Sequence, residues 1–220
     1  MVRVKKGKGK TKGKGRAKAK RPGKKAAPKG PRPVLIITCG LTGTGKSTTM
    51  RKVTDMLDMP IEIIASDVVR KELIGLAPDE HRYEPFGKGI YSSDLTERTY
   101  TEMFARAASL LQAGWSVVLD ACFIKDGQRR LARRTAQEAG ASFLCIEFRV
   151  PEHIVRDRLG ARLQRGAGPS DGRWEIYLGQ VKAFDPIKGK TEMEHLVVDG
   201  GTGTIDAILG AIIRLSAGPH

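Results

Sequence analysis

Eight consecutive residues, Gly40-Leu41-Thr42-Gly43-Thr44-Gly45-Lys46-Ser47, have the types and spacing to do chemistry. They match the pattern G-x-x-x-x-G-K-[ST], whose glycines let the backbone wrap so that successive N–H groups point at phosphate oxygens. A helix opening near Lys46 adds the positive end of its dipole. Lys46 can then reach β- and γ-phosphates, the backbone from Gly43 to Thr48 can cradle them, and the Ser47 hydroxyl can ligate Mg²⁺. A carboxylate at the tip of a neighbouring strand completes such a site, and Val117-Val118-Leu119-Asp120 supplies one. Asp120 is therefore assigned to Mg²⁺ through water, with helix capping as the plainer alternative.

A second carboxylate, Asp67, follows the apolar run Ile61–Ala65. Transfer of a γ-phosphoryl group needs an acceptor hydroxyl in line and a carboxylate to take its proton, and Asp67 is the candidate base. Arg70 stands one helical turn on, suited to holding an anionic or hydroxylated substrate; capping of the same helix is the competing use of Asp67. Arg158, Arg162 and Arg165 recur at spacings of four and three on one helical face, just before the Gly-rich stretch 166–172. They read as lid arginines that neutralise charge on closure, against the alternative of a solvated stripe. Arg129, Arg130, Arg133 and Arg134 face either substrate or solvent.

These residues must be held by alternating strands and helices. The apolar runs Val34–Cys39, Ile61–Ala65, Ser116–Asp120, Ser142–Val150 and Leu196–Val198 read as strands. Helical patterns span Ser47–Leu57, Asp67–Leu76 with Ser66 as its cap, Ser93–Ala113, 126–139, Pro151–Arg165, Arg173–Phe184 and Ile205–Leu215. Residues 77–90 carry no periodicity and read as a loop insertion in which Tyr83, Tyr91 and His81 are available to line an acceptor pocket. Strand–helix alternation implies a parallel sheet covered on both faces, with the ligand crevice at the carboxyl ends of its strands.

The charge is partitioned sharply. Residues 1–33 hold 15 of the 39 Lys and Arg residues and no Asp or Glu, which leaves 24 basic against 24 acidic residues in 34–220. The net charge of +15 thus belongs to a Lys/Gly/Ala/Pro-rich tail that offers too little apolar surface to offset the entropy of ordering it, and it is expected to be disordered. Such a segment solubilises the chain, or condenses on a polyanion with salt-sensitive, sequence-independent affinity for nucleic acid, or adheres to an anionic membrane surface. Its composition fits neither a secretory signal nor a transit peptide. The longest apolar run is far too short for a membrane span. Cys39, Cys122 and Cys145 lie far apart, in neither a disulfide framework nor a zinc pattern, and read as buried thiols of a reducing cytoplasm.

The stretches GLTGTGKST (40–48), SDVVRKEL (66–73), YSSDLTERTY (91–100), LLQAGWSVVLDACF (110–123) and RVPEHIVRDRLGARL (149–163) together resemble the small P-loop kinases of the gluconate kinase, polynucleotide kinase and zeta-toxin type. They resemble most of all the bacterial kinases fused behind aminoglycoside-phosphotransferase-like domains. The resemblance implies a P-loop NTPase fold with a five-stranded parallel sheet, helices on both faces, and a small lid over about 158–173 carrying Arg158 and Arg162. It also implies Mg²⁺ and ATP as cofactors. Many relatives carry Thr where this chain has Cys122. Three activities fit: phosphoryl transfer to a hydroxyl of a small molecule, transfer to a polynucleotide 5′-hydroxyl, and a nucleic-acid-associated nucleotide switch using the tail. A toxin-like kinase acting on a sugar nucleotide is a further alternative.

Overall fold

Val34–Cys39 forms β1, every residue of which is buried. A strand apolar on both faces must be covered on both, and β1 is the centre of a five-stranded parallel sheet ordered β2-β3-β1-β4-β5. The other strands are β2 (Ile61–Ala65), β3 (Ser116–Asp120), β4 (Ser142–Phe148) and β5 (His195–Val198). The helices are α1 (Lys46–Asp55), α2 (Ser66–Leu73), α3 (Ser93–Gln112), α4 (Asp126–Glu138), α5 (Glu152–Arg165), α6 (Trp174–Ala183) and α7 (Thr204–Ala217), with a 3₁₀ turn at Gly89–Tyr91. This computed structural model describes residues 31–77, 80, 84–165, 172–187, 194–201 and 203–217; the basic segment 1–30, His81, Tyr83 and the lid residues 166–171 lie outside them.

Alternation along β1 sorts the core into two layers. Leu35, Ile37 and Cys39 pack with Met103 and Ala107 of α3 and Ala132 and Ala136 of α4. Val34 and Ile36 pack with Met50 and Val53 of α1 and Ile208 and Ile212 of α7. A smaller cluster of Val155, Leu159 and Tyr177 joins α5 to α6. Among the described residues, no helix is long and apolar enough to cross a membrane.

The expected elements are all present, with shifted ends. Ser66 is the first residue of α2 and its side chain caps nothing, because Ala65 is still extended and takes the cap position. The strand expected to reach Val150 stops at Phe148. There the Arg149 N–H still donates to the Val198 carbonyl at 2.8 Å, but Pro151 follows with no N–H to give. Residues 56 and 57 form a turn rather than a continuation of α1, with Met56 and Leu57 N–H on the carbonyls of Val53 and Thr54. Arg32 is pinned at the opposite end of β1 from the phosphate-binding motif. Its N–H donates to Ser216 and its Nε to the Gly140 carbonyl at 3.0 Å.

Candidate active site

Gly40–Gly45 connects the carboxyl end of β1 to α1, at the point where the strand order reverses from β3 on one side to β4 on the other. The loop's shape rests on glycine at Gly43, whose φ of +81° lies in the left-handed region that favours glycine and whose missing Cβ leaves Leu159 and Val155 of α5 seated directly against the loop. Gly45 takes the cap position of α1 in the left-handed region, so α1 opens at Lys46 with its N-terminal N–H groups toward the loop. Lys46 is 7% exposed, and its Nζ donates to the Leu41 carbonyl at 2.7 Å, which holds the ammonium over the first half of the loop.

The register of β2 with β3 pairs Ala65 with Asp120, so Asp67, just past Ala65, emerges beside Asp120 at the same sheet edge. Asp120 is held from below. The Thr38 hydroxyl of β1 donates to the Ala121 carbonyl at 2.8 Å, accepts from the Ala121 N–H at 3.1 Å and lies 3.3 Å from Asp120 Oδ1. A cleft of about 750 Å³ is lined by the loop from Thr42 to Thr48 together with Asp67, Tyr91, Asp120, Cys122, Arg158, Arg162, Ile176, Gln180 and Gly200. Its size suits a nucleotide with a small second ligand.

Asp120 and Ser47 offer hard oxygen donors across this cleft. That is the sparse protein contribution Mg²⁺ accepts when phosphates and water fill its other positions. Among the described residues, no group of three or more His, Cys, Asp or Glu side chains gathers as an all-protein cage would. Arg158 lies against the loop, with its Nη1 donating to the Thr44 carbonyl at 3.2 Å. Arg162 lines the same wall.

Arg70 stands apart from this group. It is 7% exposed, donates from Nη1 to the Ile90 carbonyl at 2.9 Å and the Thr96 hydroxyl at 3.2 Å, and stacks over the Tyr91 ring at 5.3 Å. It shapes the 3₁₀ turn that carries Tyr91 to the cleft, and it is not among the residues lining the cleft. The arginines of α4 are also divided. Arg129 is buried completely and donates to the Phe123 and Asp185 carbonyls at 2.8 and 2.7 Å. Arg130 and Arg134 make surface pairs with Asp126 and Glu138.

Cys122 is the one cysteine that is only partly buried, whereas Cys39 and Cys145 are enclosed as expected. Burial pushes its thiol up from the ordinary value, Lys46 opposes this, and the carboxylates of Asp67 and Asp120 add to it. Cys122 lines the same cleft as Lys46, Asp67 and Asp120. Gln180 of α6 has no signal in the sequence. Its Oε1 accepts from the Thr42 N–H at 2.7 Å and its Nε2 donates to Cys122 Sγ at 3.4 Å.

A family profile described as "AAA domain" (AAA_33) matches residues 35–187, which includes the loop, both acidic positions and α6. The chain belongs to this AAA domain family. Uncharacterized protein Rv2004c of Mycobacterium tuberculosis is 30% identical over 142 residues, covering 64% of this chain and 28% of that protein. Uncharacterized protein Mb2027c of Mycobacterium bovis matches to the same extent. The chain thus spans under a third of these curated relatives.

Among solved structures, the AAA domain is similar to Chaetomium thermophilum Kti12 in complex with ADP-AlF₃ (TM-score 0.65, 16% identity, 84% of this chain and 100% of that one). It is also similar to a gluconokinase from Sinorhizobium meliloti (0.57, 17%, 84% and 95%). A third is the Mycobacterium tuberculosis APS kinase CysC in complex with AMPPNP and APS (0.52, 20%, 84% and 98%). The AAA domain here has the fold of the small P-loop kinases.

Proposed function

We propose that the protein is a phosphotransferase that moves the γ-phosphoryl group of ATP, with Mg²⁺, to a hydroxyl of a small molecule. The observation carrying this reading is a single cleft, lined by the phosphate loop from Thr42 to Thr48, that also takes in Asp67, Asp120, Arg158 and Arg162. The loop N–H groups and Lys46 hold the triphosphate, and Ser47 and Asp120 would hold Mg²⁺, which when bound spreads the charge of the phosphates. The acceptor oxygen bonds to the γ-phosphorus as the bond to the β–γ bridging oxygen breaks, and ADP leaves with that electron pair. Asp67 takes the hydroxyl proton. Arg158 and Arg162 bring positive charge to the wall facing the transferred group. The kinase names of several structural neighbours support the reading.

The test follows label from [γ-³²P]ATP into a small-molecule cell extract and into 5′-hydroxyl oligonucleotides, with wild-type and Asp67→Asn proteins. Label in the extract that falls by at least about 100-fold in Asp67→Asn, with ADP binding intact, is the expected result. Undiminished transfer would remove Asp67 from the mechanism.

The charge partition favours a second reading, in which the acceptor is a polynucleotide 5′-hydroxyl or the nucleotide site governs a nucleic-acid-associated switch. Fifteen cations without an acid in residues 1–33 supply nonspecific affinity for a polyanion. Label confined to the oligonucleotide would establish the first form. Phosphate release without either labelled product would favour the second.

A further inference from the structure

Gln180 reaches the phosphate loop from the far end of α6, and its chemistry fixes its orientation. A backbone N–H can only donate, so the amide atom 2.7 Å from Thr42 N is the carbonyl oxygen. The amide nitrogen is then the atom 3.4 Å from Cys122 Sγ. The side chain is nine-tenths buried, with 9% exposed, so neither bond is a loose surface contact. Both partners matter. Thr42 adjoins Leu41, whose carbonyl holds the Lys46 ammonium, and this places it at the end of the loop where the β- and γ-phosphates are read. Cys122 lies just past Asp120, and its carbonyl takes the Gly40 N–H at 3.1 Å. A second element of the same wall closes on the same residue. Gly172, ahead of α6, lies so near the Thr42 hydroxyl that a Cβ there would overlap it.

We propose that Gln180 is a positioning residue that couples the seating of α6 to the γ-phosphoryl end of the phosphate loop, by bracing Thr42 and the Asp120–Cys122 segment with one amide. This rests on the nucleotide-dependent phosphotransferase reading above and adds to it a residue on the helix that follows the lid. With α6 seated, the loop and the metal-binding carboxylate keep a fixed separation. With α6 displaced, Thr42 N–H loses its acceptor and the segment bearing Asp120 loses its tie. The N–H groups nearer α1, which would take the diphosphate, are not partners of the Gln180 amide, which bonds Thr42 and Cys122.

The test is equilibrium binding of ADP and of the β,γ-imido analogue of ATP, each with Mg²⁺, to full-length wild type, Gln180→Ala and the isosteric Gln180→Glu. Iodoacetamide labelling of Cys122 is followed in the same proteins. In Gln180→Ala, ADP affinity should stay within about twofold while the analogue weakens about tenfold, because the loop and the segment bearing Asp120 are no longer held at one separation. Gln180→Glu preserves the shape and the Thr42 acceptor but sets a carboxylate beside the triphosphate end, so the analogue should weaken at least as much, again with ADP spared. Cys122 should label several-fold faster in Gln180→Ala. Unchanged analogue affinity, or equal loss for both nucleotides in both variants, would show a merely structural glutamine and overturn the inference. Failure of the wild type to bind either nucleotide would overturn the phosphotransferase reading and the inference together, so the two failures are told apart.

Discussion

Replacing Gly43 with alanine tests whether the phosphate loop is held by α5 or stands by itself. The substitution carries two costs. At φ +81°, any L side chain pays roughly 1–2 kcal/mol of backbone strain. The new methyl would also lie 2.9 Å from Leu159 Cγ and 2.9 Å from Val155 Cγ1, well inside ordinary carbon contact. Those neighbours are 4% and 0% exposed, so they have nowhere to yield, and overpacking of this kind costs about 1–3 kcal/mol. The sum is about 3 kcal/mol, which for a domain of this size lowers Tm by about 9 °C. Gly140→Ala is the matched control, because Gly140 has φ +69° but nothing within 4 Å of where the added methyl would stand; it should lose only the strain, or about 3–6 °C. Calorimetry of the two variants with and without ADP reads both quantities. Equal Tm losses would refute the claim that α5 is seated on the loop, and ADP affinity should fall only in Gly43→Ala.

Arg129→Met strips the donors from the buried Phe123 carbonyl and the partly buried Asp185 carbonyl and should cost about 2–4 kcal/mol in urea unfolding; a loss under about 1 kcal/mol would mean the staple is dispensable. Stability should also fall in alkali. The thiol of Cys122 and the hydroxyl of Tyr100 are both raised above their ordinary values of 9.0 and 10.0, chiefly by burial. The unfolded chain therefore releases these protons first, and stability present below about pH 9 is lost as pH rises through 10 and beyond. Urea midpoints that stay flat from pH 8.5 to about 10.5 would contradict this assignment. Under the nucleic-acid reading, full-length protein should bind DNA with a log–log salt slope of about 0.9 per phosphate neutralised, and deleting residues 1–30 should abolish that binding; a truncated chain with an unchanged slope would move the binding surface to the body.

What can be read from the sequence is what is local in it. The phosphate loop declares itself because its glycines, lysine and serine act within eight residues, and Asp120 because an apolar strand ends on it. Arg129 differs in kind. Its helix carries four arginines at close spacing, and nothing in that spacing tells which one turns inward, since the choice is made by carbonyls at Phe123 and at Asp185, 56 residues away in sequence. Arg70 looks suited to substrate for the same reason, and nothing local announces that its Nη1 donates to the Ile90 carbonyl, 20 residues on. Gln180 is the extreme case, 138 residues from Thr42. A single glutamine on a helix has no periodicity or motif to announce it.

The strand order has a consequence for how such a protein diversifies. Along the sheet edge the order β2-β3-β1-β4-β5 sets Asp67, Asp120 and the phosphate loop side by side at steps of about 4.8 Å, with Gly200 beyond β5 at the far end. Under the proposed reaction the phosphoryl group travels sideways across strand ends, so the two substrates arrive from opposite flanks of one sheet. Under that reading, acceptor recognition falls to the β2 flank, where Asp67 of α2 and Tyr91 from the connection between α2 and α3 line the cleft. That connection can be rebuilt by insertion or substitution without disturbing the triphosphate side, which gives the scaffold a way to exchange one hydroxyl compound for another while its nucleotide chemistry stays the same.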